Sequence, residues 1–192
     1  MLILVRHGRT EANASGLLLG RADPGLDEVG REQAEALARA VQGVRRVVAS
    51  PLRRCMETAD AIADGAEVDV DERWIELDYG SFDERPTRDV APEVWRQWRA
   101  DPSFVPGGGE SLAALHARVE PACEALAEEA RESDVAVVSH VSPIKAAVAW
   151  ALGTGVDIAW RMHLDVASIS RILVGDRGPV LLSFNEVRHL TR

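Results

Sequence analysis

Two unbroken apolar runs, Leu2 to Val5 and Val135 to Val138, constrain this chain more than any other feature. Neither alternates with polar residues, so each suits a strand buried on both faces, the condition of a parallel sheet covered by helices on either side. Both runs stop abruptly at polar residues: Arg6-His7-Gly8 after the first and Ser139-His140 after the second. Open α/β sheets bind ligands just beyond the carboxyl ends of their strands, which makes these residues site candidates from position alone. Arginine offers a rigid fork of donors to an oxyanion, histidine can act as base, ligand or nucleophile, and Gly8 would let backbone approach a ligand closely.

The rest of the chain repeats the alternation of strand and helix. Arg9 to Gly25 is rich in turn residues and reads as a functional loop. Asp27 caps a helix over EVGREQAEALARAV, which Gly43 closes. Arg46 to Ala49 is a short strand running into Ser50-Pro51, with Pro51 expected in the first turn of the helix that carries Arg53, Arg54 and Cys55. Glu67 to Val70 reads as a strand, with Val68 and Val70 on one face, and Trp74 to Phe82 as an ordered loop. Pro86 to Pro106 looks like an insertion whose Val94, Trp95 and Trp98 face inward from a short helix. After the break at Pro106 to Gly109, Glu110 to Arg131 forms a long helix. Pro143 opens another helix behind His140. Ala167 to Val174 and Val180 to Phe184 complete the sheet through a hairpin.

The resulting expectation is a three-layer α/β/α sandwich with a mostly parallel central sheet, folded as one domain over 1–192 with a lid-like insertion around 83–110. A length of 192 residues, 46% of them hydrophobic, fits a single globular domain. A formal net charge of -9 argues against general affinity for nucleic acid or an anionic membrane. Only Cys55 and Cys123 are present, fitting neither a disulfide framework nor a zinc site. No export signal or membrane-spanning stretch is evident, so a cytoplasmic location is expected. A homodimer is left open.

The fold would gather Arg6-His7, Ser50 to Arg54 and Ser139-His140 at one edge of the sheet. Two guanidiniums and two imidazoles around one point make a cradle for a dianion such as a phosphoryl group. No P-loop lysine motif and no two-metal spacing is present. A neutral histidine could then attack phosphorus itself, provided a carboxylic acid protonates the departing alkoxide and later takes a proton from water. Glu72, Glu76 and Asp78 are all candidates for that acid. His140 taken alone could equally be a core histidine; its place between a buried strand and a Pro-led helix favours the site.

With these residues in place, the sequence resembles the histidine phosphatase superfamily, also called the phosphoglycerate mutase-like family, over nearly its whole length. The family's RHGxTxxN stretch appears as Arg6-His7-Gly8, Thr10 and Asn13. Leu26, Gly30, Gln33 and Ala34 match its next helix, and SPLRRCMETA matches its S-x-L-x-R-x-x-x-T-A. ELDYG, then Gly108 to Ser111 with Arg118-Val119, and VVSH follow in order. The resemblance implies that His7 is the nucleophile and that Arg6, Arg54 and His140 hold the phosphoryl oxygens. It further implies that Asn13 assists and that Glu76 is general acid and then base. Arg9, Arg21 and Tyr79, together with the insertion, are expected to contact the substrate. Departures are Val141 where the family usually has glycine, Arg9 where it is often acidic, and Cys55 where alanine is common.

The function implied is a metal-independent phosphomonoesterase acting on a small phosphorylated metabolite through a covalent phosphohistidine, with no cofactor. Two alternatives are a phosphoglycerate mutase, whose members are typically longer, and a non-catalytic phosphate-binding module.

Overall fold

The computed structural model describes residues 1–190. The last two residues of the expected 1–192 domain lie outside the described residues. Its elements in order are β1 (Leu2–Arg6), α1 (Glu11–Ala14), α2 (Glu28–Ala40), β2 (Arg46–Ala49), α3 (Arg53–Ala63), β3 (Val68–Val70), α4 (Pro92–Ala100), α5 (Leu112–Glu132), β4 (Val135–Ser139), α6 (Val141–Leu152), β5 (Ile169–Gly175) and β6 (Gly178–Glu186). They form one sheet in the order β3-β2-β4-β1-β5-β6. β3, β2, β4 and β1 run parallel, whereas β5 and β6 are antiparallel additions at one edge.

The two apolar runs occupy the centre of this sheet, β1 paired with β4 from Leu2 opposite Val135 to Arg6 opposite Ser139. Successive side chains of β1 serve opposite layers, as strand geometry requires. Leu2 and Leu4 join Leu115, Val119 and Leu126 of α5 and Ile144 and Val148 of α6 in one core. Ile3 and Val5 join Leu37 of α2 and Cys55, Ala59 and Ile62 of α3 in the other. Burial on both faces is therefore the reason these strands show no alternation. β3 lies at the far edge of the sheet, and there Val70 is exposed while Val68 packs inward.

Capping follows the sequence in part. Asp27 Oδ1 accepts the Gly30 N–H at 2.7 Å and Ser111 Oγ accepts the Ala114 N–H at 3.1 Å, fixing the starts of α2 and α5. The start of α3 departs from expectation: Pro51 stands before the helix, and Leu52 is its N-cap. The Asp23 carboxylate accepts the Arg53 N–H at 2.6 Å, supplying a first-turn partner from another loop.

Glycines fix two close approaches. A Cβ on Gly8 would collide with the Gly30 carbonyl, and one on Gly30 with the Arg9 carbonyl. The missing Cβ of Gly8 therefore serves the packing of the β1 loop on α2. Gly80, at φ +55°, and Gly107, at φ +59°, meet backbone to backbone, which joins the Asp78–Phe82 turn to the start of α5.

Candidate active site

The carboxyl ends of β2, β4 and β1 stop side by side. Beyond the last paired residues, the His7 N–H donates to the Ser139 carbonyl at 3.1 Å and the Ser50 N–H to the Val138 carbonyl at 3.0 Å. His7, Ser50 and His140 consequently leave the sheet at one place. The two imidazoles meet edge to face with centroids 5.2 Å apart.

His7 is 3% exposed and its Nδ1 bonds the Gly8 carbonyl at 2.7 Å. A carbonyl only accepts, so Nδ1 carries the proton and Nε2 keeps its lone pair. Burial, followed by the neighbouring charges of Arg54 and Arg6, holds His7 well below the ordinary imidazole range. Burial and the charges of Arg54, His7 and Arg6 do the same to His140. His140 Nε2 bonds Ser50 Oγ at 2.7 Å and lies 3.3 Å from Cys55 Sγ. Its ring is thus anchored at the nitrogen that His7 leaves free.

Arg54 is fully buried on α3, with Nη1 donating to the Ala22 carbonyl at 2.7 Å and Nη2 to the Gly20 carbonyl at 2.8 Å. Arg6 donates from Nη1 to the Leu164 carbonyl at 2.6 Å. Each guanidinium keeps a buried Nε–H without an acceptor among the described residues, as does Arg21. A buried donor without a partner is costly, and charged donors near one another attract an anion. The donor set thus fits an oxyanion.

Glu76 is 2% exposed. Its Oε1 accepts the Leu77 N–H at 2.7 Å and the Ser142 N–H, from the first turn of α6, at 3.2 Å. Oε2 has only the same Ser142 N–H, at 3.5 Å, as a partner among the described residues. Arg118 braces the segment, donating to the Glu76 carbonyl at 3.3 Å and the Arg73 carbonyl at 2.6 Å. The same Arg118 forms a bidentate pair with Glu110 at 2.7 and 2.9 Å. Burial opposes ionisation of Glu110, but the Arg118 and Arg21 charges prevail and hold it below the usual carboxylate range.

The remaining sequence candidates divide. Asn13 Oδ1 accepts from the Thr10 N–H and Thr10 hydroxyl at 3.1 and 3.0 Å, a capping box that leaves the amide nitrogen as its outward donor. Tyr79 is buried, with its hydroxyl 3.4 Å from Ser142 Oγ. Arg21 reaches Glu110 at 3.4 Å. Arg9 pairs through Nε with the helix-capping Asp27 at 2.8 Å, and no bond joins it to the convergent residues.

Sequence reasoning passed over Asp83 and gave Thr58 no role beyond its place in SPLRRCMETA. The Asp83 carboxylate accepts the N–H groups of Gly20, Arg21 and Ala22 at 2.7, 2.9 and 2.8 Å. It thereby fixes the two carbonyls that orient Arg54. Thr58 Oγ1 accepts the Gly8 N–H at 3.1 Å and donates to the Arg54 carbonyl at 2.7 Å, tying the two strand-end loops together.

The two buried imidazoles make stability depend on pH. Unfolded histidine binds a proton below about 6.5, whereas His7 and His140 in the fold do not until a lower pH. In that window the unfolded chain holds more protons, so stability is full above pH 6.5 and falls as pH drops toward the folded values. The slope reaches about 1.4 kcal/mol per pH unit for each group. His189, also lowered by burial, adds to the same fall. Urea midpoints measured between pH 7.5 and 5.5 should therefore decline, and His7→Gln should flatten the decline. An unchanged slope in that variant contradicts a neutral, buried His7.

The architecture is that of a three-layer α/β protein whose site gathers two imidazoles, two guanidiniums and a carboxyl at the ends of parallel strands. The chain belongs to the histidine phosphatase superfamily (branch 1), whose profile matches residues 2–187. It is 39% identical over 179 residues to the bifunctional protein Rv2228c of Mycobacterium tuberculosis, covering 88% of this chain and 49% of that protein. The chain thus spans about half the length of that relative. It is 36% identical to phosphoserine phosphatase 1 of Hydrogenobacter thermophilus, across 98% of this chain and 93% of the relative. Among solved structures, a phosphoserine phosphatase of Entamoeba histolytica in complex with phosphoserine superposes with a TM-score of 0.92 at 26% identity, covering 99% and 98% of the two chains.

Proposed function

We propose that this chain hydrolyses phosphomonoesters of small metabolites through a phosphohistidine on His7. The observation that carries the reading is the imidazole itself, held neutral with Nε2 unbonded between the charges of Arg6 and Arg54. In the first step the Nε2 lone pair forms a bond to phosphorus and the ester P–O bond breaks. The departing alkoxide takes the proton from Glu76 Oε2. In the second step water attacks phosphorus, Glu76 takes up its proton, the P–N bond breaks and inorganic phosphate leaves. Arg6, Arg54, His140 and Asn13 hold the equatorial oxygens, where charge accumulates. Arg21 and Tyr79 lie at the substrate side, and segment 83–110 serves as the cover of a single catalytic unit working in the cytoplasm. Arg9 acts mainly in orienting α2.

Among the described residues no three His, Cys, Asp or Glu side chains are grouped to hold a metal ion. Also among them, no helix is long and apolar enough to cross a membrane. The proposal is tested by inorganic phosphate release from p-nitrophenyl phosphate, phosphoserine and 3-phosphoglycerate with excess chelator present. Steady release at an unchanged rate is expected. Conversion of 3- to 2-phosphoglycerate without free phosphate would establish a mutase instead, and phosphate binding without turnover a non-catalytic module.

A further inference from the structure

Beside the carboxyl of Glu76 lies a separate cavity of about 170 Å³, walled by Leu18, Tyr79, Trp95, Trp98 and Trp160 and entered by Lys145. It adjoins the site through α6. Val141, the residue after His140, and Ser142, whose N–H binds Glu76, both line it. The valine that replaces the family's usual glycine thus supplies an apolar wall beside the phosphoryl cradle. A larger open cleft of about 720 Å³ near Ala40, Arg171 and Asn185 contains none of the convergent residues.

The walls form an organised aromatic box. Trp95 and Trp98 are stacked, with centroids 5.3 Å apart and planes 9° from parallel. Trp160 stands edge-on to both, at 6.2 and 5.5 Å, and Tyr79 meets Trp98 edge-on at 5.7 Å. Two polar groups in the box have no partner among the described residues. Trp98 is 3% exposed, and its indole N–H finds no acceptor. Lys145 forms no ion pair among the described residues, although the charge of Glu76 acts on it against the effect of burial.

Resting on the phosphatase reading, we propose that this cavity selects phosphomonoesters whose alcohol carries a flat apolar ring bearing a hydrogen-bond acceptor, best a carboxylate. An apolar cavity of about 150 Å³ accommodates a benzene ring, so the size suits one aromatic ring. The acceptor would pair with Lys145 and the Trp98 N–H, the two donors the protein leaves unpaired. An aromatic box by itself would also welcome an ammonium. Here Lys145 lines the box, and the Arg99 guanidinium already lies 5.8 and 5.6 Å from the Trp95 and Trp160 centroids. A second cation is repelled, so the amino group of phosphoserine is a poor fit, and with no ring to fill the cavity its carboxylate is not held at Lys145.

The test compares propyl phosphate, 2-phenylethyl phosphate, 2-(4-carboxyphenyl)ethyl phosphate and phosphoserine. The first three release alkoxides of similar basicity, so differences among them report the cavity and not the leaving group. Expected is a kcat/KM about tenfold or more higher for the phenylethyl ester than for the propyl ester, carried by KM, from burial of the ring. The carboxylated ester should be better still, and phosphoserine no better than the propyl ester. Trp160→Ala should bring the ring preference toward one while propyl phosphate turnover is kept. Lys145→Met should remove only the advantage of the carboxylate. Quenching of indole fluorescence by the ring esters, absent with propyl phosphate, reads the cavity without turnover. Hydrolysis of all four esters at equal efficiency, or preferences that survive both substitutions, overturns the cavity assignment. A protein that quenches with the ring esters but releases no phosphate overturns the phosphatase reading and sustains the cavity.

Discussion

His7→Ala is expected to lower kcat on every phosphomonoester by on the order of 10⁴-fold or more and to abolish transient phosphate labelling of the protein. The size of the effect follows from the proposed route: without Nε2 no covalent phosphohistidine forms. His140 is the nearest imidazole, but its Nε2 is engaged with Ser50 Oγ at 2.7 Å. Arg6 and Arg54 take their protein partners from the Leu164, Gly20 and Ala22 carbonyls, contacts that do not involve His7. The variant should therefore keep its affinity for inorganic phosphate while losing turnover. Acid quenching within the first turnovers, followed by measurement of protein-bound phosphate that is stable in base and labile in acid, reads the intermediate directly. Normal labelling of the variant would place the nucleophile elsewhere.

The sequence made the site's centre legible because each strand end announces itself locally. Leu2–Val5 before Arg6-His7 and Val135–Val138 before Ser139-His140 need only the rule that parallel strands deliver residues at their carboxyl ends, and the register of β1 with β4 meets that rule. The supports of the site have no such local signature. Asp83 sits in a run of charged and turn residues that reads as solvated surface, yet three amide N–H groups from residues 20 to 22 converge on it. That Gly8 and Gly30 serve one and the same contact is visible only once the fold brings the loop after β1 against α2. The aromatic box is half-legible: Trp95 and Trp98 share a face of α4 by helical spacing, whereas Trp160 arrives from far along the chain. Contacts across such separations leave no period to read. Arg9 is a further contact across such a separation: nothing in the sequence around it announces the pair its Nε forms with the helix-capping Asp27.

Glu76→Gln should produce the second large effect, and its size should depend on the leaving group. An amide at this position can still accept the Leu77 and Ser142 N–H bonds through its oxygen, so the segment braced by Arg118 should keep its shape. What disappears is the carboxyl group proposed to protonate the leaving oxygen. An alkyl phosphate leaves as a strongly basic alkoxide and needs that proton, so its phosphorylation step should slow by about 10²- to 10⁴-fold. p-Nitrophenolate leaves without protonation, so the enzyme should still be phosphorylated by p-nitrophenyl phosphate at close to the normal rate. Hydrolysis of the phosphohistidine still requires a base for water, so the intermediate should accumulate. A burst of p-nitrophenol followed by a slow steady rate is the expected trace. Equal slowing of both esters with no burst would move the acid to another carboxyl, of which Glu72 and Asp78 stand nearest in the chain.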